Sequence, residues 1–339
     1  MRKIAYASLL LLLIIAFAVS GFSQQPQFKT KAEYDAYNAA YTEKDPAKKA
    51  ELAAKFLTDY KDTDASFKMN AYLMLTKGYL DSKNFPKTME AAAKVDEALP
   101  GLAADKKAQI YAYGMAAAQQ ADDVPKTVEF GEKVLSASPN DVNTLITLAG
   151  LIPERLPTDE AGKKAALDKA EGFAKRGLAE LGKMQKPAGM SDGDWAAISA
   201  GLHADLGFVN LNRLDYDKAI QEYDQVVKAT PKDAIAHFRI GLAYSGQAAA
   251  LSKGYVASVD QQNEAIKNNA DKAVIDDLKT KSDDIEQKLR AKRTQATDAL
   301  ATAVAIGGPV QQPAMDQLKK LWTGTPEEMN QLIASKKPQ

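Results

Sequence analysis

Apolar and small residues return along this chain at a fixed set of offsets. From His203 they run through Leu206-Gly207 and Asn210 to Ala219, Tyr223 and Pro231, the last three at 16, 20 and 28 positions beyond the start. The same offsets lead from Tyr72 through Leu75-Thr76 and Tyr79 to Thr88, Ala92 and Pro100, and from Tyr111 through Gly114-Met115 and Ala118 to Thr127, Gly131 and Pro139. Large and small residues repeated at constant heights are what stacked helical hairpins need, because each hairpin must interlock with the next. A weaker unit starts at Tyr34, with Tyr37-Asn38, Tyr41, Ala50 and Ala54, and its second helix carries Phe56-Leu57 and Tyr60.

After the third unit the pattern distorts. Leu145, Leu148-Ala149 and Ile152 predict a first helix, Pro153 and Pro157 interrupt it, and a second helix is expected from about Ala161 to Leu181. The stretch 183–194, holding Pro187, Gly189 and Gly193, reads as a loop that separates two halves of the array, with Ser191 or Asp192 capping the helix that carries Trp195. A further first helix opens at His237, with Ile240-Gly241 and Tyr244, one 34-residue step after His203. Its second helix is missing at the expected offset and is placed near Ala296, Leu300 and Val304. Between them lies a charged insertion of about 255–293, in which Val259, Ile266, Val274, Leu278, Ile285 and Leu289 recur at helical intervals and Asn268-Asn269 marks a break. That insertion either pairs with a partner or folds back on the array or on itself. Gly307-Gly308-Pro309 stops the last hairpin, and Thr325-Pro326-Glu327-Glu328 opens a C-terminal helix. The expected layout is therefore N-terminal hairpins over 24–182, the 183–194 loop, C-terminal hairpins over 195–308 and a helical cap over 309–339.

These residues resemble the tetratricopeptide repeat family, with its W-x2-L-G-x2-Y, A-x3-F and P signature on a 34-residue period. The segment His203 to Pro231 matches best, and His237 to Tyr244 continues it. His or Tyr stands at the tryptophan position, and the first three units are 38 and 39 residues apart. The resemblance implies an all-α, right-handed superhelical array whose concave groove, lined by first helices, binds a protein or peptide. One branch of the family clamps C-terminal carboxylates; Arg239 could serve there, but the Lys and Asn partners of that clamp are missing.

Counted from the repeat frame, Asn70, Lys77, Tyr113, Gln120, Phe208, Asn212, Phe238 and Arg239 are the expected partner-binding positions, with Leu73, Gln109, Ala204 and Leu242 on the same faces. Tyr113, Phe208 and Phe238 would be its aromatic anchors. His203 and His237 occupy equivalent repeat positions and read as packing residues rather than metal ligands. Asp192-Gly193-Asp194 lacks the later ligands of a helix-loop-helix calcium site and reads as a helix cap. Neither a metal nor a cofactor is expected, and no reaction type is indicated.

Composition narrows the class. Forty-four basic residues balance 44 acidic ones, so nothing favours nucleic acid as partner. Met1-Arg2-Lys3, the apolar run Leu9 to Val19 and the small residues through Ser23 have the layout of a secretory signal at 1–23, cleaved after Ser23. Cysteine is absent, which removes both disulfides and the lipid-bearing cysteine of bacterial lipoproteins. The reading is an exported, periplasmic or secreted, noncatalytic scaffold without stable membrane insertion. Two alternatives stay open: a signal-anchored component of an envelope assembly machine, and a small-molecule receptor or enzyme with a pocket beside the extended last hairpin.

Overall fold

The computed structural model describes residues 27–337. The signal expected at 1–23 lies outside the described residues. Helices fill this span, and no strand occurs among the described residues. In chain order they are α1 (Lys31–Thr42), α2 (Pro46–Asp59), α3 (Ala65–Asp81), α4 (Phe85–Ala93), α5 (Val95–Ala98), α6 (Ala104–Gln120) and α7 (Val124–Ala137). Then come α8 (Val142–Glu154), α9 (Glu160–Leu181), α10 (Asp192–Asn212), α11 (Tyr216–Ala229), α12 (Ala234–Lys267), α13 (Lys272–Ile306), α14 (Gln311–Leu321) and α15 (Pro326–Ser335). Two compact units result, one ending at Thr144 and the other beginning at Leu145.

In the first unit α1/α2, α3/α4 and α6/α7 are antiparallel hairpins, and α2 also packs on α3 and α4 on α6. Tyr72, Val95, Ile110, Phe130 and Val134 form its core. Aromatic rings close its leading end: Phe28 stacks on Phe67 with centroids 3.7 Å apart, and Tyr37 meets Phe56 edge-on at 5.4 Å.

The second unit contains α9 to α15 and nearly all of α8. Pro153 does not break α8 but lies inside its last turn, which ends one residue later. The 183–194 loop lies inside this unit, and α9 and α10 pack on each other across it. Ser191 caps α10, its Oγ accepting from Asp194 N at 3.0 Å. Arg213 fastens the end of α10 to α9 through Asp168 and Glu171, both at 2.5 Å. The 255–293 insertion lengthens the last hairpin: α12 and α13 run through it and fold back on each other, turning at Asn268-Asn269. No proline interrupts either helix, so nothing ends α12 at the repeat length. The expected cap is α14 and α15, which seat Ala314, Leu318 and Met329 against Leu300 and Val304; a reciprocal Thr325–Glu328 capping box starts α15.

Four hairpin turns are built alike. Lys83, Asp122, Leu214 and Asn269 each take positive φ, between 50° and 61°. The following N–H reaches back five residues: Asn84 to Tyr79 O, Asp123 to Ala118 O, Asp215 to Asn210 O and Ala270 to Ala265 O, at 2.8–3.0 Å. In the three short turns that following residue then caps the second helix with its side chain.

Glycine sets the close approach of paired helices. A Cβ on Gly207 would lie 2.8 Å from the Tyr223 ring, one on Gly114 2.9 Å from Phe130, and one on Gly241 2.6 Å from Leu300 Cγ. Gly114 therefore pairs with Phe130, one residue before the expected Gly131, so the third hairpin starts its frame at the fully buried Ile110 rather than at Tyr111.

Candidate partner-binding face

In the first unit α1, α3 and α6 are neighbours; of the expected residues, Asn70 and Lys77 lie on α3 and Tyr113 and Gln120 on α6. Asn70 of α3 lies near the Tyr37 hydroxyl of α1. Gln109 donates to Tyr113 Oη at 3.2 Å. Lys77 pairs with Asp81 one turn on, and Gln120 is exposed at the end of α6.

Lys77 and Tyr113 come together in a surface pocket of about 240 Å³ between α2, α3 and α6. Leu73, Met74 and Tyr113 give it apolar walls, and Gly78 lies at its α2 side. A Cβ at Gly78 would lie 2.7 Å from Pro46 O, so the bare backbone is what lets the start of α2 close one wall. Asp45 caps α2 by accepting from Lys48 N at 2.8 Å, and Pro46 occupies its first turn. This brings Lys44 and Lys49 to the rim. Glu43 draws Lys48 away at 2.9 Å; its carboxyl is lowered to about 2 by the Asp45 N–H, by Lys48 and by the Lys44 N–H. Lys44 and Lys49 have no ion pair among the described residues. Three lysines thus face one carboxylate, Asp81, around an apolar floor. Lys44 and Lys49 lay outside the sequence expectation because they flank a second helix.

In the second unit Phe208, Asn212 and Arg239 converge, yet their polar groups are engaged within the fold. The Arg239 guanidinium lies 4.7 Å over the Phe208 ring and donates to Tyr223 Oη at 3.1 Å. Asn212 Nδ2 donates to the Phe208 carbonyl at 2.9 Å. Ala204 packs against the core around Tyr223 and Ile240. Phe238 is half-buried against the cluster of Leu300, Val304, Leu318 and Met329, to which α13, α14 and α15 contribute. His203 Nδ1 meets Glu222 Oε2 of α11 at 2.7 Å, and His237 Nε2 lies 3.0 Å from Pro231 O in the link before α12, so both rings are held by neighbours.

The last hairpin carries a shallow groove of about 350 Å³ along α12 and α13, lined by Gly254, Ala257, Gln261, Lys281, Asp284 and Ile285 among others. Its two charged residues are paired along their own helix, Lys281 with Asp277 at 2.6 Å and Asp284 with Lys288 at 2.7 Å. No group of His, Cys, Asp or Glu that could hold a metal ion occurs among the described residues.

Residues 215–247 match the family model described as a TPR repeat, a stretch that takes in α11 and the start of α12. A tetratricopeptide repeat protein from Parabacteroides merdae ATCC 43184 aligns in structure with a TM-score of 0.42 and 10% identity, over 86% of this chain and 99% of that one, a likeness too loose to locate a site. No curated protein matches the chain. Helical repeats of this kind are protein-interaction scaffolds, and the hairpins described above have their architecture. The described residues are all-α and built from stacked helical hairpins, and residues 215–247 are similar to a tetratricopeptide repeat.

Proposed function

We propose that this protein is an exported, noncatalytic scaffold that holds an acidic segment of a partner protein on the first-helix face of its first unit. One observation carries the reading: the pocket between α2, α3 and α6, where Leu73, Met74 and Tyr113 are rimmed by Lys44, Lys49 and Lys77 against the single carboxylate Asp81. Apolar contact supplies affinity there, and unpaired ammonium groups select a carboxylate-bearing segment over a basic one. Gln109 and Gln120 extend the same helix face with amides that suit an extended backbone. Export is supported by the basic start, apolar run and small residues of 1–23, and by the absence of cysteine; envelope or secreted-complex organisation follows as its setting. No helix of the described residues is long and apolar enough to cross a membrane. An enzyme or small-molecule site beside the last hairpin is the weaker reading, because the groove there is shallow and its Lys281 and Asp284 are already ion-paired.

A displayed library of random peptides tests the reading. Selection on the purified chain is expected to enrich peptides with two or more carboxylates beside an apolar residue. Changing Lys49→Glu together with Tyr113→Ala should abolish that enrichment, whereas Phe208→Ala leaves it in place. Peptides that bind the double variant equally well would sink the assignment.

A further inference from the structure

The last hairpin is far longer than what supports it. At 1.5 Å per residue α12 spans about 51 Å, while α11, which packs beside its start, spans about 21 Å. Gly246 and Gln247 are the last α12 residues with a described contact to α11, against Tyr216 and Asp217, and on α13 Asp298 meets Lys336 near the base. Between Gly254 and Lys281 only Ser258 is buried, and it bonds the buried Ser282 at 2.9 Å across the two helices. The distal hairpin is thus a two-helix arm.

Charge is segregated along that arm. From Gly254 to Glu286, its outer part, eight carboxylates face four lysines, a net of −4. Its root, 244–253 on α12 with 287–297 on α13, holds Lys253, Lys288, Arg290, Lys292 and Arg293 and no carboxylate. The groove described above lies at the junction, around the Ser258–Ser282 level, and the exposed Val274 falls on the same side of α13 by helical register.

We propose that the arm pairs with the arm of a second copy, antiparallel and groove to groove, in a two-fold dimer. A two-fold axis at the groove sets each acidic tip against the other copy's basic root. A parallel pairing would oppose root to root, cation against cation. The apolar Ile285 and the small Gly254 and Ala257 let the helices approach closely enough to complete a four-helix arrangement.

Sedimentation velocity on the purified chain tests this with charge reversals at exposed positions outside the groove. The unchanged chain should sediment as a dimer in low salt and weaken as salt rises, since surface pairing is screened. A root variant, Lys253→Glu with Lys288→Glu, and a tip variant, Glu264→Lys with Asp277→Lys, should each weaken dimerisation by about tenfold or more. Mixed one to one, the two variants should form a heterodimer, and all four changes in a single chain should restore self-pairing. That rescue separates pairing from misfolding. A chain that is monomeric at every concentration tested, or a dimer indifferent to both reversals, overturns the proposal; a four-change chain that stays monomeric while the mixture dimerises overturns the antiparallel orientation.

Discussion

The α10/α11 and α12/α13 hairpins begin in the same way and end differently. Gly207 and Gly241 lie 34 residues apart and each opens a socket for a large side chain from the second helix. Tyr223 fills the first socket from 16 residues downstream; Leu300 fills the second from 59. The socket geometry is kept while the intervening chain grows by a whole arm. Packing between helices at the base therefore defines the hairpin, and the length of the turn region is free to vary so long as both helices continue and pair along their added length.

The largest test of that equivalence empties the sockets. Tyr223→Ala removes a fully buried ring and should cost about 3–5 kcal/mol, and Leu300→Ala, equally buried, about 2–5 kcal/mol, measured as urea midpoints of the helical signal. The two should differ in reach. Leu300 also belongs to the cluster with Leu318 and Met329, so its loss should speed hydrogen exchange in α14 and α15, whereas loss of Tyr223 should leave those helices protected. Equal protection of α14 and α15 in both variants would break the distinction.

Filling a socket from the other side has a smaller effect. Gly207→Ala places a methyl group 2.8 Å from the Tyr223 ring, which is hemmed in by its own burial, and should destabilise by about 1–3 kcal/mol. Adding Tyr223→Leu should recover part of the loss, since Leu is what the Gly241 socket accepts. A Gly207→Ala chain as stable as the parent would show that the glycine is not what sets the approach.

How much of this was legible follows from where the pairing partner sits. Gly207 and Tyr223 share one repeat, so their spacing showed the hairpin directly. Leu300 could be placed only as a second helix arriving late, because nothing local ties it to Gly241. The third hairpin slipped by one residue because Ile110 and Tyr111 are both buried, leaving two registers open to an apolar pattern. At the candidate site Leu73, Lys77 and Tyr113 follow from the first-helix frame. Lys44 and Lys49 do not, since they reach the pocket only through the contact of Gly78 with the Pro46 backbone. The packing of Phe238 against the Leu318 and Met329 cluster could not be read from the repeat, because α14 and α15 lie beyond its grammar.

Acid should separate the two hairpins next. The short one is tied to α9 by Arg213: a hydrogen bond from Lys164 within α9, with charge from Lys164 and Arg213, holds the Asp168 carboxyl below its ordinary value, and Lys175 within α9 together with Arg213 does the same for Glu171. A lowered folded value stabilises above the unfolded carboxylate range of about 4 and is lost as pH falls through the folded values. The arm's pairs Asp284–Lys288 and Glu286–Arg290 run within one helix and hold no second element. Lowering the pH from about 5 toward 2 should therefore raise hydrogen exchange at the α9–α10 contact before the base of α12 and α13, and Arg213→Ala should flatten that dependence. An unchanged acid profile in the variant would remove Arg213 from the account.

The smallest contrast lies in the turns. Leu214 closes the short hairpin and Asn269 the long one, both with positive φ, at 61° and 50°. A leucine held there works against its own Cβ, and at 68% exposure it recovers little by burial, whereas asparagine tolerates the conformation. Glycine carries no such strain but adds freedom to the unfolded chain. For Leu214→Gly the relieved strain of about 1–2 kcal/mol exceeds the added entropy, and a net gain of about 0.5–1 kcal/mol is expected. For Asn269→Gly the two effects nearly cancel, and the urea midpoint should move by no more than a few tenths of a kcal/mol. If Leu214→Gly instead destabilises, the leucine is contributing contacts that its exposure does not reveal; if Asn269→Gly stabilises as much as Leu214→Gly, the turns differ in sequence without differing in strain.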